Sequence, residues 1–282
     1  MSDSPLFQAF TRFQESSNHF EIGIIGSGVI GEALLVAVLK SGVSPLVIAI
    51  SDKNHNRTSE LGQKYGCKVI DSSEVAIKAR NILLAVKPQD MDSLLGGIGE
   101  SISTSQRVIS FAAGKKTSHI EGFLQEGVPV LRVMPNTPTS VGIGASAISA
   151  GKYASKDDVK AVEELLKESG KTIVVDESLQ DAVTATSGSG PAYFFRFVEA
   201  MINGAKELGL SESDAKTLVI QTITGAAAML NVDGASPSTL RENVTSPNGT
   251  TFAALQVFES MEIEGIIRKA MRAARDRSQE LS

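Results

Sequence analysis

Short apolar runs alternate with amphipathic stretches from Phe20 to about Val175, and this alternation is the strongest constraint on the fold. The runs are bounded by Gly, Pro, Asn, Asp or Ser, which is typical of strands. Helical stretches such as Gly31–Lys40 and Arg57–Tyr65 between them require crossover connections, so we predict a mainly parallel, doubly wound α/β sheet. The predicted strands are Glu21–Ile25, Leu46–Ile50, Lys68–Ile70, Asn81–Val86, Arg107–Phe111, Val130–Val133, Ala145–Ser149 and Thr172–Val175.

The pattern changes after about Glu177, because no convincing strand follows. Gly209 lies just past one predicted helix, as helix ends prefer, and Ser211 with Asp214 resembles a capping pair for the next. These helices are apolar on too many sides for one narrow stripe, so we expect a second copy of the chain to cover part of them. The predicted helices are Pro191–Leu208, Asp214–Leu230 and Phe252–Met261.

Composition excludes several classes of partner. The formal charge of -5 and the lack of a dense Lys/Arg stripe argue against nucleic acid. A single cysteine, Cys67, cannot form a disulfide within the chain or a multi-cysteine metal site, so we expect no metal and a reducing compartment. No apolar run approaches the ~18 residues of a membrane span, and the first twenty residues do not resemble a signal peptide. We therefore expect a cytoplasmic protein without a membrane partner.

A glycine loop follows the first strand and opens a helix, which is the context typical of dinucleotide binding. Its glycines allow a tight turn, close approach of a pyrophosphate and close packing of helix on strand. The helix N-terminus then offers free N–H groups to the phosphates. The alternative is a turn that merely needs glycine. The loop consists of Gly26, Ser27, Gly28, Val29, Ile30 and Gly31.

Asp52 ends the second strand, where an acidic side chain binds the ribose 2′-hydroxyl of NAD. Yet Ser51, Lys53, Asn54 and Arg57 surround it, and their donors and positive charges suit the 2′-phosphate of NADP. A solvated surface loop is the alternative for Lys53 and Arg57. The residues alone leave NADPH and NADH both open.

Further loops follow other strands, at the edge where open α/β sheets bind ligands. They are Ala85-Val86-Lys87-Pro88, Ala112-Ala113-Gly114 and Met134-Pro135-Asn136-Thr137-Pro138. The run Ser246–Thr251 precedes a helix and suits a carboxylate, although a simple cap by Thr250 or Thr251 is the alternative. Ser187–Pro191 reads as a hinge, a tight helix entry or a cofactor contact.

Two longer runs, DAVTATSGSGPAY (Asp181–Tyr193) and LRENVTSPNGTT (Leu240–Thr251), follow AVKP, AAG and MPNTP in the chain. Together they resemble pyrroline-5-carboxylate reductase, the last enzyme of proline synthesis, over nearly the whole chain from Phe20. The resemblance implies reduction of 1-pyrroline-5-carboxylate, with NADPH preferred over NADH in many members. It also implies a Rossmann-like domain, predicted over residues 20–177 after an extension at 1–19, and an all-helical dimerisation domain over 178–282, often within a decamer.

The resemblance also implies site residues. The Ser246 hydroxyl and the N–H groups of Gly249 and Thr250 would bind the substrate carboxylate, and Thr251 would face the ring nitrogen as the catalytic residue. Asn243 and Glu177 are lesser substrate candidates. The cofactor would contact Ile25 to Ile30 in the glycine loop, Ser51, Ser72, Ala85 to Pro88 and Ala112 to Gly114.

Three positions depart from the family pattern. Asp52 places a negative charge beside the expected 2′-phosphate, and Ser72 stands where many members carry Asn. Asn248 replaces a common glycine, but Asn tolerates left-handed backbone better than most residues.

Two other functions are compatible with parts of the sequence. A β-hydroxyacid dehydrogenase-like enzyme usually employs a catalytic lysine, but the helix that begins at Pro191 contains no lysine before Lys206. Lys87 belongs to the AVKP loop. A catalytically silent NADP-binding scaffold would let the substrate loop decay, whereas Ser246–Thr251 is intact. None of the three histidines, His19, His55 and His119, is a compelling catalytic acid, and reduction of a protonated imine does not need one.

Overall fold

The computed structural model describes residues 19–280. Contacts within the chain define two compact units. The first comprises the chain up to Ser189 together with the chain from Ala274, and the second is Gly190–Ala273. Residues 1–18 of the expected extension lie outside the described residues. The domain limits at 20–177 and 178–282 remain predictions.

The first unit contains one eight-stranded sheet in the order β3-β2-β1-β4-β5-β6-β7-β8. All neighbouring pairs are parallel except β6 and β7. The eight predicted strands and the doubly wound arrangement are therefore confirmed. The strands are β1 Phe20–Ile25, β2 Ile48–Ser51, β3 Lys68–Val69, β4 Ala79–Leu84, β5 Arg107–Ser110, β6 Val130–Met134, β7 Gly144–Ala150 and β8 Gly170–Val174.

Helices cover both faces of this sheet, because each face carries its own buried apolar cluster. Leu34 and Val162 belong to one cluster, whereas Val75 and Leu95 belong to the other. Burial of these side chains on both faces explains why the central strands are apolar throughout their length. The helices of the first unit are α1 Val29–Lys40, α2 His55–Tyr65, α3 Ser72–Lys78, α4 Met91–Ile98, α5 Thr117–Glu121, α6 Lys156–Leu166 and α7 Gln180–Val183.

The antiparallel pair β6 and β7 has a local cause. Only a short helical turn, Thr137–Val141, separates the two strands, so no crossover can form. Asn136 closes this turn, because its Oδ1 accepts a hydrogen bond of 2.9 Å from the N–H of Ala145.

The second half of the chain is helical, as predicted. Gly209 has a φ of +100° after the end of α8, and the Ser211 side chain accepts a bond from the N–H of Asp214 at 3.1 Å, so both predicted helix boundaries are confirmed. Two helices, α10 and the long α12, were not predicted. The elements are α8 Gly190–Glu207, α9 Glu212–Leu230, α10 Pro237–Asn243, α11 Thr250–Ser260 and α12 Ile263–Glu280.

The segment Ser187–Pro191 is mostly helical rather than an open loop, and the start of α8 at Gly190 confirms the tight helix entry, whereas its roles as a hinge or a cofactor contact stay predictions. Residues Thr184–Gly188 form a π turn, in which the N–H of Ser189 donates to the carbonyl of Thr184 at 2.7 Å. Serine and glycine suggested a loop, but successive backbone hydrogen bonds stabilise a helical path instead.

No helix of residues 19–280 is long and apolar enough to cross a membrane.

Asp158 joins helix α6 to the sheet. Its carboxylate accepts bonds from the backbone and side chain of Ser155 at 2.8 and 2.6 Å, and it forms an ion pair with Arg107 on β5. Burial tends to raise the pKa of Asp158, but these hydrogen bonds outweigh burial and lower the pKa below its usual value.

We predict that Asp158→Asn lowers the free energy of unfolding at pH 7 by about 1–3 kcal/mol, because hydrogen bonds to a charged, buried group are lost. The difference from wild type should shrink as the pH falls below the ordinary aspartate value, since the wild-type carboxylate then becomes protonated. Urea unfolding at several pH values measures this. Asp157→Asn is the control, because Asp157 is exposed. Equal losses in the two variants would contradict the assignment.

Candidate functional site

Four loops meet at the carboxyl edge of the sheet, around the glycine loop that follows β1. The N–H of Gly26 donates to Ser51 at the end of β2, and the N–H of Ala85 donates to Ile25, both at 2.8 Å. On the far side of β4, the N–H of Phe111 donates to Leu84 at 2.9 Å. From β1 the chain continues to β2 and β3 on one side of the sheet and then returns to β4 on the other side of β1, so the strand order reverses at β1. Open α/β sheets bind ligands at such a switch point.

The glycines of this loop have different roles. Gly26 has a φ of +105°, and a Cβ there would lie 2.6 Å from the carbonyl carbon of Ala85. A Cβ on Gly31 would collide with the carbonyl oxygen of Gly26. A Cβ on Gly28, by contrast, would have no neighbour within 4 Å. Gly26 and Gly31 therefore permit close packing, whereas the space over Gly28 is open.

Open space over Gly28 coincides with the start of helix α1 at Val29. Gly28 is the N-cap of this helix and offers no side chain to bond its first N–H groups. Those groups and the positive end of the helix dipole suit an anion. The site therefore fits the pyrophosphate of a dinucleotide, as the glycine pattern predicts.

Asp52 holds the glycine loop to the turn after β2. Its two carboxylate oxygens accept backbone hydrogen bonds from Ser27 at 2.6 Å and from Asn54 at 2.8 Å. Burial tends to raise the pKa of Asp52, but these two backbone bonds outweigh it and lower the pKa below its usual value. A fixed negative charge therefore lies where the ribose of a nucleotide is expected.

The predicted phosphate-binding cations near Asp52 each contact a carboxylate. Lys53 lies 3.0 Å from Asp90, and Arg57 forms ion pairs with Glu32 and Glu60. These pairs are partly exposed, so each contributes little stability and can exchange for a phosphate.

Glu32 contacts several side chains of helix α2, a set of contacts that the sequence did not predict. In addition to Arg57, its carboxylate accepts hydrogen bonds from Lys64 at 3.0 Å and Tyr65 at 2.9 Å. The bond from Lys64, against opposing burial, is the main cause that lowers the pKa of Glu32. An acidic residue in the first turn of a helix is common, and its partners lie 25 to 33 positions along the chain.

The remaining cofactor candidates divide into two groups. The AVKP and AAG loops, with Ala85, Val86, Lys87, Pro88, Ala112, Ala113 and Gly114, follow β4 and β5 at the switch-point edge. Ser72 begins α3 after the edge strand β3, and Asn136 follows β6, where its side chain is engaged with Ala145.

Glu177, a lesser substrate candidate, lies within the first unit. Its Oε1 accepts the N–H of Thr117 and its Oε2 accepts the Thr117 hydroxyl, each at 2.7 Å. Arg132 on β6 places Nη1 at 3.6 Å from the same carboxylate. Neither Thr117 nor Arg132 was predicted, because partners 60 and 45 positions from Glu177 leave no local pattern.

The candidate substrate loop lies in the second unit. Asn248 has a φ of +56°, which confirms the expected left-handed backbone. Gly249 is the N-cap of helix α11 without a side-chain cap, so the alternative that Thr250 or Thr251 caps the helix is wrong. Ser246 Oγ packs so closely on Gly249 that a Cβ there would collide with it.

This loop combines a serine hydroxyl with a helix N-terminus. The N–H of Gly249 donates to the carbonyl of Ser246 at 3.0 Å and closes the turn, so the Thr250 and Thr251 N–H groups in the first turn remain the main donors. The dipole of α11 adds positive potential at the same place. Asn243, a lesser candidate, is the last residue of α10. The arrangement suits a carboxylate.

No group of three or more His, Cys, Asp or Glu side chains that could hold a metal ion occurs within residues 19–280.

Comparisons with known proteins agree with this geometry. Residues 177–281 match the family described as pyrroline-5-carboxylate reductase dimerisation, and residues 21–114 match NADP oxidoreductase, coenzyme F420-dependent. The pyrroline-5-carboxylate reductase of Corynebacterium melassecola is 39% identical over 92% of this chain and 98% of its own. That of Methanosarcina acetivorans is 41% identical over 93% of this chain and 97% of its own.

Solved structures give the same result. The pyrroline-5-carboxylate reductase of Coxiella burnetii has a TM-score of 0.88 at 34% identity, covering 94% of this chain and 99% of that one. The Plasmodium falciparum pyrroline carboxylate reductase, solved with NADP bound, has a TM-score of 0.83 at 27% identity, covering 94% and 99%. Identity above 30% over nearly the full length of both chains shows common descent. The chain belongs to the pyrroline-5-carboxylate reductase family.

Proposed function

We propose that this chain reduces 1-pyrroline-5-carboxylate to L-proline with NADPH or NADH. The observation that carries the proposal is the loop Ser246–Thr251, which joins a hydroxyl to the open N-terminus of α11 and so provides an anchor for a carboxylate. The glycine loop of the first unit supplies the second requirement, a place for a dinucleotide. The names of the full-length relatives support the same reaction.

The residues of the substrate loop have different proposed roles. We assign the carboxylate to the Ser246 hydroxyl and the N–H of Thr250, with Gly249 shaping the turn and Asn243 beside it. The Thr251 hydroxyl hydrogen-bonds the ring nitrogen and orients C5. The nicotinamide, when bound, supplies the hydride. Because the imine nitrogen is protonated before hydride reaches C5, no strong protein acid is needed, and orientation carries much of the rate enhancement.

The direct experiment follows the absorbance of NADPH after 1-pyrroline-5-carboxylate is added to the purified full-length chain. We expect the absorbance to fall with this imine and to stay constant with the ketoacids or semialdehydes that correspond to 3-hydroxyacids. A dehydrogenase of hydroxyacids would show the opposite pattern, and a silent nucleotide-binding protein would show no reaction with either.

Thr251→Val should reduce kcat by about 10-fold or more, because the ring nitrogen loses its hydrogen-bond partner. Its effect on nucleotide binding should be far smaller. Initial rates and the dissociation constant of NADPH measure the two effects. Thr245→Val is the matched control, since the Thr245 hydroxyl donates to the carbonyl of Arg241 at 2.6 Å and has no assigned role. Full activity of Thr251→Val would remove Thr251 from the reaction.

Two glycine substitutions separate nucleotide binding from folding. Gly28→Ala should weaken NADPH binding while the urea midpoint stays within error, because the added Cβ fills space that only the phosphates need. Gly31→Ala should lower the urea midpoint, because its Cβ collides with Gly26. Nucleotide titrations and urea unfolding are compared for both variants. Unchanged NADPH binding by Gly28→Ala would contradict the assignment of the phosphates to this loop.

We propose NADPH as the preferred donor, with Ser51, Lys53 and Arg57 at the 2′-phosphate. The carboxylate of Asp52 is engaged with two backbone N–H groups, and this partly offsets its repulsion of a phosphate. Arg57 lies close to Glu32 and can exchange that partner for the phosphate.

Arg57→Met should raise the KM for NADPH about 10-fold and leave the KM for NADH unchanged, because only NADPH carries the 2′-phosphate. Lys64→Met is the matched control, since Lys64 also pairs with Glu32 but is not assigned to the nucleotide. Initial rates with NADPH and with NADH give the two KM values. Equal changes for NADPH and NADH would show that Arg57 does not recognise the 2′-phosphate.

We propose that the active form is at least a homodimer, and a decamer of five dimers. The second unit leaves large apolar side chains exposed, including Phe194 at 62% and Phe195 at 63%, which water disfavours. Residues 177–281 also match a family described by dimerisation. Light scattering after size-exclusion chromatography should give a multiple of two chains, and a monomer at micromolar concentration would refute the proposal.

A further inference from the structure

We infer that Glu177 is a positioning residue that holds the nucleotide loop Ala112–Gly114 in place through Thr117. The inference deepens the proposed function, because it assumes that this loop contacts the nucleotide. It replaces direct contact between Glu177 and the substrate with an indirect role.

The carboxylate of Glu177 binds one residue twice. Oε1 accepts the backbone N–H of Thr117 and Oε2 accepts its hydroxyl, each at 2.7 Å. Thr117 is 4% exposed and begins helix α5 three positions after Gly114, the last residue of the loop. Paired bonds of this kind fix both the position and the direction of the group they hold, and bonds to a carboxylate are stronger than neutral ones.

Arg132 stands behind this carboxylate. Its side chain is 3% exposed, and Nη1 lies 3.6 Å from Oε1 of Glu177. The backbone of Arg132 is paired with Ser110 of β5 and Ser149 of β7, and its side chain is buried beside the sheet. A buried cation needs a nearby anion, and Glu177 supplies it. The sheet therefore fixes Glu177, which in turn fixes Thr117.

The loop between β5 and α5 is thus held at both ends. At its start, the N–H of Ala112 donates to the Ser110 hydroxyl at 3.4 Å, and at its end Thr117 is bound to Glu177. Between them, Gly114 has a φ of +74°, and Lys115 bonds Asp92 at 2.9 Å. The first of these bonds is long, so the doubly bonded Thr117 is the firmer anchor.

The carboxylate oxygens of Glu177 are directed at the loop. Each oxygen of Glu177 accepts one short bond from Thr117, and Arg132 lies beside Oε1, so the carboxylate is oriented toward the start of α5. Replacement of Glu177 should therefore affect nucleotide binding first. A small displacement of a positioning loop weakens binding of the nucleotide and slows hydride transfer.

The test compares Glu177→Gln and Thr117→Val in the full-length chain. Glu177→Gln keeps the shape but loses the charge, and Thr117→Val keeps the N–H but loses the hydroxyl. We expect Glu177→Gln to raise the dissociation constant of NADPH, measured by fluorescence without imine, by about 10-fold, and Thr117→Val by about 3-fold. In free energy, the double variant should lose less than the sum of the two single variants, because both changes weaken the same pair of bonds between Glu177 and Thr117.

Asp176→Asn is the matched control. Asp176 is the neighbour of Glu177, but its carboxylate bonds only Ser178 among the described residues, so NADPH binding should not change. Steady-state kinetics of Glu177→Gln should show a lower kcat with an unchanged KM for the imine.

Two results would overturn the inference. If the KM for the imine rises while NADPH binds normally, Glu177 contacts the substrate. If only the urea midpoint falls, and NADPH binding of the folded protein is unchanged, the role is structural. NADPH binding is measured without imine, so this test does not depend on imine reduction. The role of Glu177 can therefore be refuted while the wild type still reduces the imine, and it can be supported even if the wild type does not.

Discussion

The rest of the nucleotide site depends on the close approach of two backbones, at Gly26 and Ala85. A Cβ on Gly26 would lie 2.6 Å from the carbonyl carbon of Ala85, so only glycine allows the loop after β1 to pass beside the loop after β4. That approach occurs where the strand order reverses, which is where an open α/β sheet leaves a crevice. Helix α1 can then begin at Val29 with its first N–H groups open.

Carboxylates organise the polar part of this edge. Asp52 joins the glycine loop to the turn after β2, and Glu32 gathers cations from α2. Glu177 joins the start of α5 to the arginine of β6. Hydrogen bonds from backbone N–H groups lower the pKa of Asp52, and hydrogen bonds from Lys64 and Tyr65 lower that of Glu32. The candidate nucleotide loops are therefore held by hydrogen bonds and ion pairs to carboxylates in addition to apolar packing.

The two units solve different physical problems. The first buries its apolar side chains on both faces of one sheet and leaves its carboxyl edge polar. The second leaves phenylalanines exposed on α8 and has an uncapped helix N-terminus at the start of α11 that suits a carboxylate. Apolar surface of that extent is typical of a subunit interface. Family membership and the exposed surface thus lead independently to an oligomer, although the number of subunits remains a proposal.

The sequence by itself determined the eight strands, the doubly wound sheet, the glycine loop and the left-handed Asn248, because each depends on neighbours in the chain: apolar periodicity, turn residues or backbone freedom. It also determined the family, because several motifs recur in order. Only the tertiary structure decided the antiparallel β7, the partners of Asp52 and Arg57, and the attachment of Glu177 to Thr117. The bonds of Asp52 to Ser27, of Arg57 to Glu32 and of Glu177 to Thr117 join residues 25 to 60 positions apart. A side chain's charge and position in the chain do not specify which distant group it will meet.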